Sequence, residues 1–350
     1  MKYLILILTC YFGLFLCQCT KNDPGPVIPE SNGIIPSGAG VFILNEGNFT
    51  AGNGSLSYYS CDSSKIYNDI FSGVNNRPLG DVPNSMMISK GSAYIVVNNS
   101  GKIEVVDKNT ILSSATITGI DSPRSILLTD SSKAYVSSLY STKITILNMQ
   151  MNSVSGYIDI RRSSEAMLLK GDKAFVSCWM SGNEIMIINT KTDKVIDSIE
   201  VGYEPESMVI DRNGRLWILC SGGYTEEYNA ELDVLNTANN EIERRMAFPS
   251  ATSYPTSLHI NRTGDTIYYV DNAIWRMDIE SSSLPVQPFI QASGRLYYKL
   301  GVDPVKGDVF ATNVIDYQQR GFLLRFSASG SLIDSSGVDI IPGSLCFKLN

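Results

Sequence analysis

Seven short segments open alike, and one position in each refuses to repeat. They are Pro83-Asn84-Ser85-Met86, Pro123-Arg124-Ser125-Ile126, Ser164-Glu165-Ala166-Met167, Pro205-Glu206-Ser207-Met208, Pro255-Thr256-Ser257-Leu258, Tyr297-Tyr298-Lys299-Leu300 and Pro342-Gly343-Ser344-Leu345. Their second residues are Asn84, Arg124, Glu165, Glu206, Thr256, Tyr298 and Gly343, while the apolar positions further on match from copy to copy. Packing demands repetition, whereas a ligand surface is free to break it. Glu165 and Glu206 could in principle act as an acid–base pair or hold Ca²⁺. The rest of a catalytic inventory is thin. His259 is the only histidine and falls inside the strand-like Ser257-Leu258-His259-Ile260, where a structural role fits best. Imidazole-based triads and His-ligated zinc therefore lack their parts. There is no calcium loop, phosphate-cradling glycine loop or nucleophile elbow, and no metal site or cofactor is expected.

A second set of residues belongs with the first. Between later parts of each copy come turns carrying Asn98, Tyr140, Trp179, Met180, Tyr224, Asn272 and Tyr317. The amino-terminal part contributes Asn45, Asn48 and Phe49, and Tyr254 approaches the same end. Two turns, Ser221–Ala230 and Asn313–Gly321, are longer than a tight hairpin needs, and long loops on a rigid scaffold are where binding concentrates. Exposed aromatic side chains dominate binding energy where a partner covers them. Together with Asn84, Arg124, Glu165, Glu206 and Tyr298, these residues predict recognition of a fairly large, partly apolar ligand with amide or hydroxyl edges.

The elements that must position them follow from the repeat. Each opening leads to a strand such as Ala134-Tyr135-Val136-Ser137 and then to one such as Lys143-Ile144-Thr145-Ile146-Leu147-Asn148. The copies recur every roughly 40 to 50 residues, the period of propeller blades. The seventh stops soon after Phe347, and its remainder is found at the other end of the chain. Gly40–Asn45 has the form of a second strand, Ser55–Tyr59 of a third, and Lys65–Phe71 can supply the fourth. The predicted fold is all-β, a seven-bladed β-propeller over residues 39–350 whose last blade is closed by N- and C-terminal strands, leaving no long unpaired edge between first and last blades. No amphipathic helical run interrupts the pattern. A formal charge of −7 without a basic cluster argues against nucleic acid.

Ahead of the propeller, Met1-Lys2 and the apolar run Tyr3–Leu16 read as an export signal too short for a comfortable membrane span. Residues 1–18 are expected to be a lipoprotein signal peptide, with Cys19 (or Cys17) lipidated, and residues 19–38 a Pro- and Gly-rich tether. Cys178 and Cys220 hold equivalent strand positions in successive blades, too far apart for a disulfide; Cys61, Cys178, Cys220 and Cys346 are expected as four unpaired, buried thiols, with oxidation in an exported protein as the alternative.

The strand pairs at Ala134–Asn148 and Ala174–Asn189 resemble those of YVTN/YncE-like propellers. The start Gly40-Val41-Phe42-Ile43-Leu44-Asn45-Glu46-Gly47-Asn48-Phe49, with Ser55-Leu56-Ser57-Tyr58-Tyr59, resembles the Bacteroidetes surface propellers of the DUF5074 group. Leu16-Cys17-Gln18-Cys19-Thr20-Lys21-Asn22-Asp23 is similar to the lipobox region of lipoproteins from the same bacteria. Such propellers include BtuG-type lipoproteins, which capture vitamin B12 and other corrinoids and pass them to a TonB-dependent outer-membrane transporter. The resemblance implies a non-enzymatic, lipid-anchored protein of the outer membrane, exposed at the cell surface, with a corrinoid as bound ligand rather than cofactor. A protein- or glycan-binding adhesion module is the alternative, and a lactonase- or lyase-like propeller enzyme a third reading.

Overall fold

The computed structural model describes residues 38–224 and 228–349, so the leader, Cys17, Cys19 and nearly all of the tether lie outside the described residues. Seven small antiparallel sheets stand around an axis, six of four strands and one of three. Blade 1 runs from Pro83 to Thr118, blade 2 from Pro123 to Asp159, blade 3 from Met167 to Glu200 and blade 4 from Pro205 to Ala247. Blade 5 spans Thr256–Asp278 and blade 6 spans Tyr297–Ile340. The closing blade places Pro342–Lys348 innermost, then Gly40–Asn45, Ser55–Ser60 and Lys65–Tyr67. Its seam pairs Val41 with Phe347, Phe42 with Cys346 and Ile43 with Leu345, the head-to-tail closure that the broken seventh copy predicts.

The second strand of each blade is an unbroken apolar run because both of its faces are covered. One hydrophobic cluster fills each of the seven junctions between neighbouring blades. Trp217, Tyr135, Phe175 and Phe310 are fully buried at such junctions. Burying a side chain of this kind is worth about 1.5–3 kcal/mol, so the repeat of apolar positions is what holds blade to blade.

Two details depart from the sequence reading. The fourth strand of the closing blade ends at Tyr67, and Ile70–Asn75 forms a short helix whose Ile70 and Phe71 pack under blade 1. Blade 5 has no fourth strand. Residues 279–296 run along its edge instead, and Ile290 bridges to Ile274. Cys61, Cys178, Cys220 and Cys346 are all free; Cys178 and Cys220 are buried as expected, whereas Cys61 and Cys346, in the closing blade, are only half-buried.

The candidate ligand-binding mouth

Register fixes which turns share an end. The start of each innermost strand pairs with the end of the second: Pro83 with Val97, Pro123 with Ser138, Pro205 with Cys220, Tyr297 with Asn313 and Pro342 with Asn45. The seven openings and the turns between second and third strands therefore meet at one mouth. The chain enters the propeller at the opposite base, where Gly40 pairs with Ser60 and Lys348.

The innermost strands are bulged at the mouth. In six blades the pairing slips within the first residues of the opening, as between Pro83 and Ser85 or Thr256 and His259. A bulge leaves backbone groups unpaired and re-aims side chains, so two successive residues of an opening border the channel. The second of them is Ser85, Ser125, Ala166, Ser207, Ser257, Lys299 and Ser344. The serines serve the neighbouring blade. Ser85 Oγ donates to the Arg124 carbonyl at 2.7 Å and Ser125 Oγ to the Glu165 carbonyl at 2.8 Å. Ser207 Oγ accepts from the Leu258 amide at 2.9 Å and Ser257 Oγ from the Leu300 amide at 3.0 Å. The Pro-x-Ser repeat is thus a hydrogen-bonded belt across junctions that have no sheet ladder.

Above this belt lies a polar cavity of about 250 Å³ bordered by Glu46, Asn84, Arg124, Glu165, Glu206, His259, Tyr298 and Lys299. The structure brings together five of the predicted residues here: Asn84, Arg124, Glu165, Glu206 and Tyr298. Arg124 binds Glu165 through two bonds of 2.6 and 2.8 Å. Lys299 Nζ reaches across blade 5 to Glu206 Oε1 at 2.8 Å, and the Ser257 amide donates to Glu206 Oε2 at 2.9 Å. Glu165 and Glu206 are therefore each committed to a cation rather than to each other. Asn84 Nδ2 donates to the Arg124 carbonyl. Tyr298 OH donates to Glu46 Oε1 at 3.0 Å.

Burial sets the electrostatics. It would raise the Glu206 carboxyl, but the Lys299 ammonium overcomes it and the pKa is lowered; burial would lower Lys299, and Glu206 turns that into a rise. Arg124 is likewise held charged against burial by Glu165. Glu46 differs: burial prevails over Lys299 and Tyr298, and its pKa is raised. Burial pushes His259 down to about 4, leaving a neutral ring on the channel wall at neutral pH.

Around the cavity stands an aromatic rim. Tyr224 lies tilted against Tyr254 at 4.6 Å between centroids, Tyr203 stacks on Tyr228 at 4.4 Å, and Tyr317 meets Tyr298 edge-on at 5.5 Å. Tyr224 is 80% exposed, and Phe49, Tyr140, Met180 and Tyr317 are exposed as well. The Arg124 guanidinium lies 5.9 Å from the Trp179 ring centre, and the buried Trp179 indole nitrogen has no hydrogen-bond partner among the described residues. Gly223, at φ +82°, leaves room for the Tyr203 ring; a Cβ there would lie 2.9 Å from it. Tyr317 and its neighbour Ile315 hold left-handed backbone (φ 60° and 58°), a strained turn that presents the ring.

Other predicted residues lie elsewhere. Asn45 is fully buried, donating to Ser55 and Ser57, and Asn98 is buried, donating to the Pro123 carbonyl at 3.0 Å. Both are framework rather than rim. Asn48 clasps Asn53 within its own loop, and Asn272 is an exposed turn residue. Thr256 cedes its place on the cavity wall to Ser257. Glu46 and Lys299 were missed. Lys299 is the one large residue among small ones at the third position of the openings, and Glu46 fills the space that Gly343 leaves. A wider cleft of about 830 Å³ opens outside the ring, between the Gly52–Ser55 loop, Ser72–Leu79 and Arg320. Its two arginines are matched within the protein, Arg320 with Asp339 at 3.3 Å and Arg77 with Glu104 at 2.8 Å.

The DUF5074 domain, a domain of unknown function, matches residues 39–339. No curated protein matches the sequence. Among solved structures, a quinonprotein alcohol dehydrogenase-like protein from Bacteroides thetaiotaomicron is similar with a TM-score of 0.70 at 14% identity, over 88% of this chain and 78% of that one. A protein named as a 6-phosphogluconolactonase from Bacteroides fragilis gives 0.65 at 14% identity, over 89% and 98%. Hydrazine synthase from Kuenenia stuttgartiensis gives 0.58 at 14%, over 75% and 88%. At such identities the likeness is one of fold.

Proposed function

We propose that this chain, which belongs to the DUF5074 family, captures a ligand at the mouth of its propeller. The observation that carries the reading is the exposed aromatic rim of Tyr224, Tyr317, Tyr140 and Phe49 around a recessed ring of half-buried charges. Rings held on rigid blades lose little entropy on binding and supply most of the contact energy. The cavity of about 250 Å³ is smaller than the pockets that enclose drug-sized ligands, about 300–1,000 Å³. A larger ligand therefore lies across the rim and sends one arm inward.

The specific cargo proposed is a corrinoid, on the strength of the family likeness. The proposed setting is the outer membrane, with Cys19 as lipid anchor and a TonB-dependent transporter as recipient. Entry of the chain at the base supports this, because an anchor there leaves the mouth free. An adhesion role would use the same rim, but the recessed cavity favours a small molecule. Calorimetric titration of the propeller with cyanocobalamin tests the cargo. Saturable heat with micromolar or tighter affinity is expected, and no heat at micromolar concentrations removes the corrinoid.

A further inference from the structure

We propose that the channel mouth receives a nitrogen hydrogen-bond donor of the ligand, an amine or a primary amide arm, on the free oxygen of Glu46. The inference rests on the capture reading and names the group that enters. Three carboxylates and two cations border the cavity. Both oxygens of Glu165 are taken by Arg124, and those of Glu206 by Lys299 and the Ser257 amide. The Glu46 carboxylate accepts, among the described residues, only from Tyr298, through Oε1. Among the described residues its other oxygen has no partner, and no cation lies within ion-pair distance of it. An entering carboxylate or phosphate thus finds both cations engaged and meets Glu46 as well. An entering N–H finds an acceptor. The stem behind it passes Tyr298 and Tyr317, whose rings suit a methylene chain and attract a cation.

Gly343 supports the assignment. A Cβ there would lie 2.0 Å from Glu46 Oε1 and 2.6 Å from its Cδ. The closing blade gives up its own side chain in the ring, and Glu46 from the adjacent turn occupies the space. The groups facing Glu46 are Tyr298 and Lys299 of blade 6, Arg124 of blade 2 and Glu165 of blade 3, with Glu206 and His259 on the walls of blades 4 and 5. Burial keeps the affinity of Glu46 for a proton high, so a donor competes with that proton. Binding of an amine strengthens as pH rises through the pKa of Glu46 and then levels.

The test uses the full chain in detergent, labelled with ¹⁵N at its three tryptophans. Trp179 reports on the mouth beside Arg124, while Trp217 and Trp275 in blades 4 and 5 serve as internal references. The probes are n-butylammonium, butyramide and butyrate. Butylammonium is expected to shift the Trp179 signal saturably and to bind at least about tenfold more weakly to Glu46→Gln, a change in line with losing a charge-assisted hydrogen bond. Gly343→Ala, whose Cβ would displace the Glu46 side chain from Cγ outward, is expected to weaken it similarly while the Trp217 and Trp275 signals stay in place. Binding of butyramide as well points to an amide arm as sufficient; binding of butylammonium alone points to an amine. Equal binding of butyrate, unchanged binding in both variants, or no binding of any probe overturns the inference. If cyanocobalamin binds wild type and Glu46→Gln equally while butylammonium fails, this inference falls and capture at the rim stands.

Discussion

Replacing Lys299 by methionine separates the framework role of the channel charges from their role toward a ligand. Lys299 Nζ holds Glu206 across blade 5 at 2.8 Å, with side chains 27% and 12% exposed. Removing one partner of a buried ion pair costs about 3–5 kcal/mol, because the other charge is left uncompensated. Water in the channel reaches both groups, so about 2–3 kcal/mol is the reasonable size here. At roughly 2–4 °C per kcal/mol the melting temperature falls by about 5–10 °C. The sign of the pH dependence follows from Glu206. Its pKa is lowered in the folded protein by Lys299, so the pair contributes above the ordinary carboxylate pKa and is lost as pH falls through the folded value. In Lys299→Met only the Ser207 and Ser257 hydrogen bonds still oppose the burial of Glu206, and the deficit against wild type is largest at neutral pH and shrinks below about pH 4. Adding Glu206→Gln removes the orphaned charge, and the double variant is expected within about 1 kcal/mol of wild type. Thermal and urea unfolding followed by near-ultraviolet circular dichroism at pH 7.5 and pH 4 measures all three. A Lys299→Met protein as stable as wild type at pH 7.5, or a double variant no better than the single, refutes the reasoning.

Deleting Pro342–Lys348 removes the inner strand of the closing blade and exposes the edge of Gly40–Asn45; loss of the cooperative transition or self-association on size-exclusion chromatography is expected, and a stable monomer would count against head-to-tail closure. Asp233 is fully buried, accepts from the Gly202 amide at 3.0 Å and has its pKa pushed up to about 6 by burial. Its contribution to stability is present below about pH 4 and lost by about pH 6, so Asp233→Asn is expected to flatten that slope and raise stability at pH 7.5 by about 1–3 kcal/mol; a urea midpoint unchanged at pH 7.5 would contradict it. Tyr224→Ala with Tyr317→Ala should leave the melting temperature within about 2 °C of wild type while weakening cyanocobalamin at least about tenfold, since both rings are exposed at the rim. Equal affinity in calorimetry would remove the rim from the site.

The ring of blades was legible because each packing contact recurs with the repeat, and the truncated seventh copy revealed how it closes. The mouth was half legible. Residues such as Arg124 and Tyr298 were marked by their failure to repeat, and Tyr224 by its place in a long loop. Lys299 was hidden because only one residue per opening was expected in the channel, and the bulges that admit a second are not written in any residue type. Glu46 was hidden for a different reason. It comes from a turn and fills a space defined by a missing side chain, a relation between positions 46 and 343 that no local pattern carries. Asn45 and Asn98 differ the other way: polar residues at turns read as exposed, but Asn45 donates to Ser55 and Ser57 inside the closing blade and Asn98 to the Pro123 carbonyl across the junction to blade 2. The helix at Ile70–Asn75 escaped notice because six residues are too few to set up a helical period.

Capture at the mouth is tested most directly by amide hydrogen exchange of the protein with and without saturating cyanocobalamin. The account predicts slowed exchange in the Glu46–Asn53 turn and the loops around Tyr203, Tyr224 and Tyr317, with the base turns near Gly91, Asp130 and Asp211 unchanged. Protection confined to the base, to the outer strands or to the cleft beside Arg320, with the mouth loops unaffected, would contradict it.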